Sequence, residues 1–230
     1  TVEQGVAQGR PVVYAVSERL PQPARAVAME NLRRTPDVIA QLEKDTGPYP
    51  FTEIGGVVVS LDTWFTALEC QTRPVYDATL GRSERDGTFL LTHELVHQWF
   101  GNNVRIVGWR DIVNNEGFAT FAGYRQREAS EPGYPNRVLK RGWDGYDAGF
   151  WRPSISDPGH GNLFNTVYPR GGMALQALRN ILGDAVFFRL YREWAQTAGN
   201  RSLDDWRRFV ERGSGRDLSA FFAAWYDAPE

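Results

Sequence analysis

The sequence predicts an α+β fold, mostly helical, with a few N-terminal strands. Helical periodicity and capping signals dominate after residue 87, while the strand-like runs lie before it. The chain has 230 residues, 42% of them hydrophobic and 23% charged, and eight tryptophans. That composition is ordinary for a soluble globular protein, and the length suffices for one large domain or two small ones around a sizeable core.

Residues 11–17 alternate and carry β-branched side chains, which predicts a strand. Residues 22–45 read as helix, interrupted at Thr35-Pro36, where an N-cap followed by proline would open a second helix. Gly47-Pro48-Tyr49-Pro50 is a breaker, and the apolar run 54–61 fits a strand. Residues 62–85 read as loop with an edge strand. Residues 87–100 are helical through Leu90, Leu91, Leu95, Val96 and Phe100, closed by Gly101. A polar stretch follows, then a helix from about Glu116 to Glu128.

Residues 130–165, rich in Gly, Pro, Asp and aromatics, resist division. Beyond them an amphipathic helix spans 167–182 and ends at Gly183, and another spans about 184–198. Ser202 with Asp205 resembles a capping box opening a third, and a fourth covers about 217–226. The stripe Leu175, Leu178, Ile181 and Leu182 is expected in the core. Arg33-Arg34 and Arg207-Arg208 are expected on solvated helix faces.

A net charge of −2 offers no basic surface for nucleic acid. No apolar run reaches membrane-spanning length. The single cysteine, Cys70, excludes an internal disulfide and leaves the compartment open. The chain starts at Thr1 rather than a methionine, shows no charged-then-apolar leader, and its opening segment, residues 10–17, reads as a strand entered mid-protein. A processed product or a piece of a longer protein is therefore expected.

Chemistry enters at Thr92-His93-Glu94-Leu95-Val96-His97, which contains H-E-x-x-H. Two histidines four residues apart lie about 40° apart around a helix, so both imidazoles can meet one ion. Zinc accepts imidazole nitrogen readily and needs no redox chemistry. Glu94 falls beside the ion, where a general base for an activated water is wanted. A hydrolytic zinc usually takes a third protein ligand and keeps one position open. Asn114-Asn115-Glu116-Gly117-Phe118-Ala119 offers Glu116, eighteen residues after His97, a gap that lets the chain return antiparallel. One zinc ion per chain, held by His93, His97 and Glu116, is the expectation.

These segments resemble a known family. His93-Glu-Leu-Val-His-Gln-Trp-Phe-Gly101, followed by Trp109-Arg-Asp-Ile-Val-Asn-Asn-Glu-Gly-Phe-Ala119, is similar to the gluzincin zinc metallopeptidases of the aminopeptidase N and leukotriene-hydrolase family. The resemblance runs from about Pro48 to Trp225. It implies a thermolysin-like catalytic domain over 1–230, with a small αβ lobe about 1–100 and a helical lobe about 101–230, and without the family's N-terminal β-domain. It also implies hydrolysis of peptides. The family's G-A-M-E-N motif matches Thr66-Ala67-Leu68-Glu69-Cys70, which gives Glu69 the role of binding the substrate's free amino group. Such a group has a pKa of about 7.7–8.0 and is largely cationic at neutral pH. The family's Y-E-K-G matches Tyr168-Pro169-Arg170-Gly171, which makes Tyr168 a catalytic donor to the developing oxyanion.

Departures from the family pattern are Thr66 and Cys70 in the amine-binding motif and Pro169-Arg170 beside the tyrosine. Gly123 stands where a carboxylate commonly supports a zinc histidine. The implied reaction is removal of N-terminal amino acids. Alternatives are an endopeptidase or epoxide-opening hydrolase on the same fold, or a zinc-holding module with little catalysis. His160 reads as a loop residue and Cys70 as an inert one.

Overall fold

A computed structural model describes residues 1–60 and 66–227, and gives side chains for these except at 84–86. The chain divides into two units, Thr1–Asn102 and Asn103–Glu230.

The first unit begins with a hairpin that the sequence reading did not anticipate. Strand β1 (Val2–Ala7) pairs antiparallel with β2 (Arg10–Val16), with Ala7 opposite Arg10. The two residues between them, Gln8 at φ 50° and Gly9 at φ 77°, take the positive φ values of a tight primed turn. β1 escapes periodicity because it is an edge strand exposed along most of its length. β2 shows the predicted alternation, with Val12, Tyr14 and Val16 buried.

A parallel neighbour for β2 requires a long crossover. Helices α1 (Gln22–Arg33) and α2 (Thr35–Thr46) supply it, leading to β3 (Ile54–Val58). The expected cap at Thr35 is not made. Arg34 occupies the cap position with helical backbone (φ −80°, ψ −8°), Thr35 is the first helical residue, and its buried Oγ1 has no hydrogen-bond partner among the described residues. The chain passes from one helix to the next almost without leaving αR geometry. The Gly47 breaker does end α2, at φ 80°.

β3 stops at Val58, short of the predicted 61. Residues 61–65, which include part of the expected loop, lie outside the described residues. β4 (Ala67–Leu68) and β5 (Val75–Tyr76) complete a five-stranded sheet in the order β1-β2-β3-β5-β4. α3 (Glu84–Val96) packs on α1 and α2.

The second unit is helical around one buried rod. β6 (Val104–Ile106) leads through a short 3-10 turn, Trp109–Asp111, into α4 (Val113–Glu128). α5 (Tyr134–Gly145) and α6 (Ala148–Trp151) divide the stretch that resisted sequence reading. Then come α7 (Val167–Leu182), α8 (Asp184–Ala195), β7 (Gly199–Arg201), α9 (Leu203–Ser214) and α10 (Ser219–Trp225). β6 and β7 pair in parallel, so strands are not confined to the region before residue 87.

The capping box at α9 is present in full, with Ser202 Oγ accepting from Asp205 N and Asp205 Oδ2 accepting from Ser202 N. Gly183 closes α7 at φ 77°. Ile181 departs from its predicted place and is 42% exposed. At about 100° per residue it falls well off the face shared by Leu175, Leu178 and Leu182. Arg33 and Arg208 lie on exposed faces, whereas Arg207 is half-buried and pairs with Asp227 at 2.8 Å. No helix among the described residues is long and apolar enough to cross a membrane.

α4 is buried from Val113 to Tyr124. Phe118 stacks on Tyr191 and meets Trp206 edge-on at 5.0 Å, and Phe121 packs on Phe187. Its tightest neighbour is α7. A Cβ on Gly171 would stand 2.7 Å from Gly117 Cα, and a Cβ on Gly172 would stand 2.8 Å from the Tyr124 ring. At Gly117 and Gly171 the two backbones therefore meet with no side chain between them, which fixes the second turn of α7 against α4. Gly171→Ala is expected to push these helices apart and destabilise the chain by about 1–3 kcal/mol. Urea unfolding of the purified variant measures this, and an unchanged midpoint would contradict the backbone contact.

Candidate metal centre

The regular part of α3 ends at Val96, four residues sooner than the periodicity suggested. The next residues continue as a tightened turn, with Gln98 N and Trp99 N donating to the carbonyls of Leu95 and Val96, three residues back. Two anchors draw the chain off the helix. Trp99, fully buried, donates from Nε1 to the Pro48 carbonyl at 3.0 Å and packs edge-on against Tyr49. Phe100 is also fully buried, and Gly101 then turns the chain at φ 138°.

His93 is half-buried on α3 and His97 is 1% exposed just beyond it, with their rings 4.9 Å apart. His97 Nδ1 lies 3.0 Å from the Phe100 carbonyl. A carbonyl only accepts, so Nδ1 carries the proton and Nε2 keeps its lone pair for a metal. A backbone carbonyl thus orients this imidazole. The residue in the expected supporting position, Gly123, is a buried glycine of α4 with no acceptor side chain.

Glu94 is 5% exposed. A carboxylate so removed from water is costly unless a hydrogen-bond partner or a cation compensates it.

Glu116 lies in the first turn of α4, which begins at Val113 rather than at the glutamate itself. The 3-10 turn before it and the buried Ile112-Val113 pair start the helix early, and Asn115 N and Glu116 N both donate to Ile112 O. The helix N-terminus favours a carboxylate in that turn. Glu116 Oε1 also accepts from Asn115 Nδ2 at 3.2 Å. Among the described residues, His93, His97 and Glu116 form a group that could hold a metal ion, each offering one ligand atom and all within 4.8 Å of one another. Two imidazoles and a carboxylate suit zinc. His160 is exposed on a 3-10 turn outside this group.

Glu69 follows edge strand β4 and is half-buried. Tyr168 is the second residue of α7 and half-buried. Two residues on, Arg170 replaces the family's lysine and is 1% exposed. Its guanidinium donates to the carbonyls of Trp151, Pro153 and Trp225 at 2.6–2.7 Å, and to those of Ala224 and Asp227 at longer range. Trp225 and Ala224 end α10, so Arg170 satisfies carbonyls that no helical donor reaches. Burial lowers its pKa from the ordinary value, opposed by Asp227. Five forked donors explain why arginine occupies this position.

Sequence reasoning missed Gln98 and Asn102, and registered Arg170 only as a departure beside the tyrosine. The available signal for Gln98 was a second polar residue beside His97 in the otherwise apolar stretch Leu95-Val96-His97-Gln98-Trp99-Phe100.

Residues 62–148 match the sequence model of the Peptidase family M1 domain. Aminopeptidase N of Lactococcus lactis subsp. lactis is 32% identical over 165 residues, covering 64% of this chain and 19% of that protein. Aminopeptidase N of Streptomyces lividans is 28% identical over 153 residues, covering 60% and 18%. An M1 zinc metallopeptidase from Deinococcus radiodurans superposes with a TM-score of 0.72 at 25% identity, covering 94% of this chain and 47% of that one. A mutant of that name, solved bound to a Tyr-Ser-Ala substrate, superposes at 0.78 with 23% identity, which speaks to the fold alone. The chain thus spans about a fifth of the curated relatives and about half of the solved structures. Residues 62–148, which hold the H-E-x-x-H and N-E-G-F segments, thus match the peptidase M1 family, and the chain is similar to the aminopeptidase N enzymes.

Proposed function

We propose that this chain hydrolyses peptide bonds with one zinc ion and removes amino acids from the N-terminus of peptides. The observation that carries this reading is the grouping of His93, His97 and Glu116 ligand atoms, with buried Glu94 adjoining His93. The relatives named aminopeptidase N support it.

When bound, zinc supplies Lewis acidity, which lowers the pKa of a water toward about 7 and polarises the scissile carbonyl. His97, its Nδ1 proton committed to the Phe100 carbonyl, offers Nε2 as a ligand. Glu94 takes the proton of the attacking water and passes it to the leaving amine. The Tyr168 phenol donates to the oxyanion that develops on the substrate. Glu69 accepts from the cationic amino terminus and so selects the chain end. The αβ lobe to about residue 100 and the helical lobe beyond it together form the catalytic domain in this reading.

Cys70 stands next to Glu69 and is exposed. Partial burial of the thiol raises its pKa above the ordinary value, and the carboxylates of Glu69 and Glu94 raise it further. A raised pKa means less thiolate at pH 7.

Three outcomes follow. The purified chain is expected to carry about one zinc and to cleave amino-acid amides with a free amino group but not N-blocked ones. Cleavage of both sets would favour an endopeptidase, and absence of zinc would remove the basis of the proposal. Glu94→Gln is expected to keep zinc, by metal analysis, and to lose turnover by about 100-fold or more; full activity would exclude Glu94 as the base. Iodoacetamide is expected to label Cys70 more slowly at pH 7 than a free model thiol and to accelerate as pH rises. Labelling as fast as the model thiol would contradict the raised pKa.

A further inference from the structure

The turn that carries Glu69 is held from the end of the metal-binding segment. Gln98, fully buried, is the residue after His97. Its Oε1 accepts from Thr72 N at 2.8 Å. Its Nε2 faces the carbonyls of Cys70 at 3.5 Å and Glu69 at 3.4 Å. The backbone N–H of Thr72 must meet an oxygen and the two carbonyls must meet a nitrogen, so the amide has one possible orientation. Asn102 adds a second tie: its Nδ2 donates to the Glu69 carbonyl at 2.7 Å while its own backbone N–H donates to the His97 carbonyl at 2.9 Å. The main chains of a proposed metal ligand and of the proposed amine-binding residue are therefore joined through one asparagine.

The turn needs such support. Cys70 N donates to Leu68 O, and Arg73 N donates to Cys70 O at 3.1 Å, which closes a four-residue turn over 70–73. Thr72 is its third residue and has φ 63°. That conformation suits glycine or asparagine, and a β-branched residue adopts it only when its surroundings impose it. Gln98 grips this same residue.

We infer that Gln98 is a positioning residue, fixing the strained turn so that Glu69 is presented to a substrate's amino terminus. This rests on the proposed amine-binding role of Glu69. Preference for a free N-terminus then depends on a side chain bonded to the main chain of the turn, and relieving the turn should substitute for the clamp.

The test uses the full chain in its zinc form. Backbone hydrogen exchange is measured at Thr72, together with kcat and KM for free and N-blocked amino-acid amides. Gln98→Ala is expected to keep its zinc, to lose protection at Thr72, and to raise KM for free amides about tenfold with little change in kcat. Asn102→Ala, should Gln98→Ala fail to fold, is expected to raise KM in the same sense. Adding Thr72→Gly to Gln98→Ala is expected to restore most of the lost KM, since glycine holds positive φ without help. Unchanged Thr72 exchange in Gln98→Ala would overturn the clamp whatever the activity. An unchanged KM, or no recovery with Thr72→Gly, would overturn its link to substrate. Equal cleavage of free and blocked amides by the unmodified chain would instead refute the role of Glu69, and the exchange measurement would still decide the clamp.

Discussion

His93 and Glu94 sit on a regular helix, but His97 lies just past its last residue, and an imidazole there points wherever the following chain directs it. That chain is fixed by burial. Trp99 and Phe100 are fully buried, Trp99 is bonded to Pro48, and the Phe100 carbonyl receives the Nδ1 proton of His97. A ligand atom held by a buried backbone carbonyl loses little freedom when a metal binds. Loss of such an outer partner typically lowers metal affinity about 10- to 100-fold. The Gly47-Pro48-Tyr49-Pro50 breaker consequently has a second use: besides stopping α2, it supplies the acceptor and the aromatic wall for Trp99.

The second unit solves a comparable problem without hydrogen bonds. Glu116 and Tyr168 lie in the first turns of α4 and α7, and glycines shortly after each bring those two helices into backbone contact. Close approach lets the two turns hold register through van der Waals contact along rigid rods. The remainder of the unit reinforces this pair. An aromatic cluster closes around Phe118 and Phe121, and Arg179 on α7 bonds Glu128 on α4 at 2.8 Å and Asp184 on α8 at 2.8 Å. Arg170 ties the start of α7 to the end of α10.

The departures from the family pattern acquire physical meaning in this setting. Arginine in place of lysine after the tyrosine reaches five carbonyls in a buried site, more than an ammonium's three donors could satisfy. Glycine at 123 removes one possible orienting carboxylate, and the His97 imidazole is oriented by a main-chain oxygen. Cysteine at 70 sits in the turn gripped by Gln98, where its backbone rather than its thiol makes the contacts that shape the turn.

The residue pattern alone determined the α+β class, most helix positions in the C-terminal third, and the candidate metal-ligand set, because helical period and ligand spacing are local properties of the chain. H-E-x-x-H places two imidazoles on one face of any helix, and the Ser202–Asp205 box caps any helix that follows it. What lay beyond the sequence was set by contacts between distant segments. Neither the edge strand β1 nor the β6–β7 pair carries a periodicity of its own, since each is defined by its partner. The early end of α3 came from the burial of Trp99 and Phe100, and the early start of α4 from the turn before it. Gln98 reads as one more helical position until Thr72, 26 residues earlier, is folded against it. Tertiary structure alone decides which buried polar side chain meets which strained turn, because such a group must find its partners wherever folding brings them.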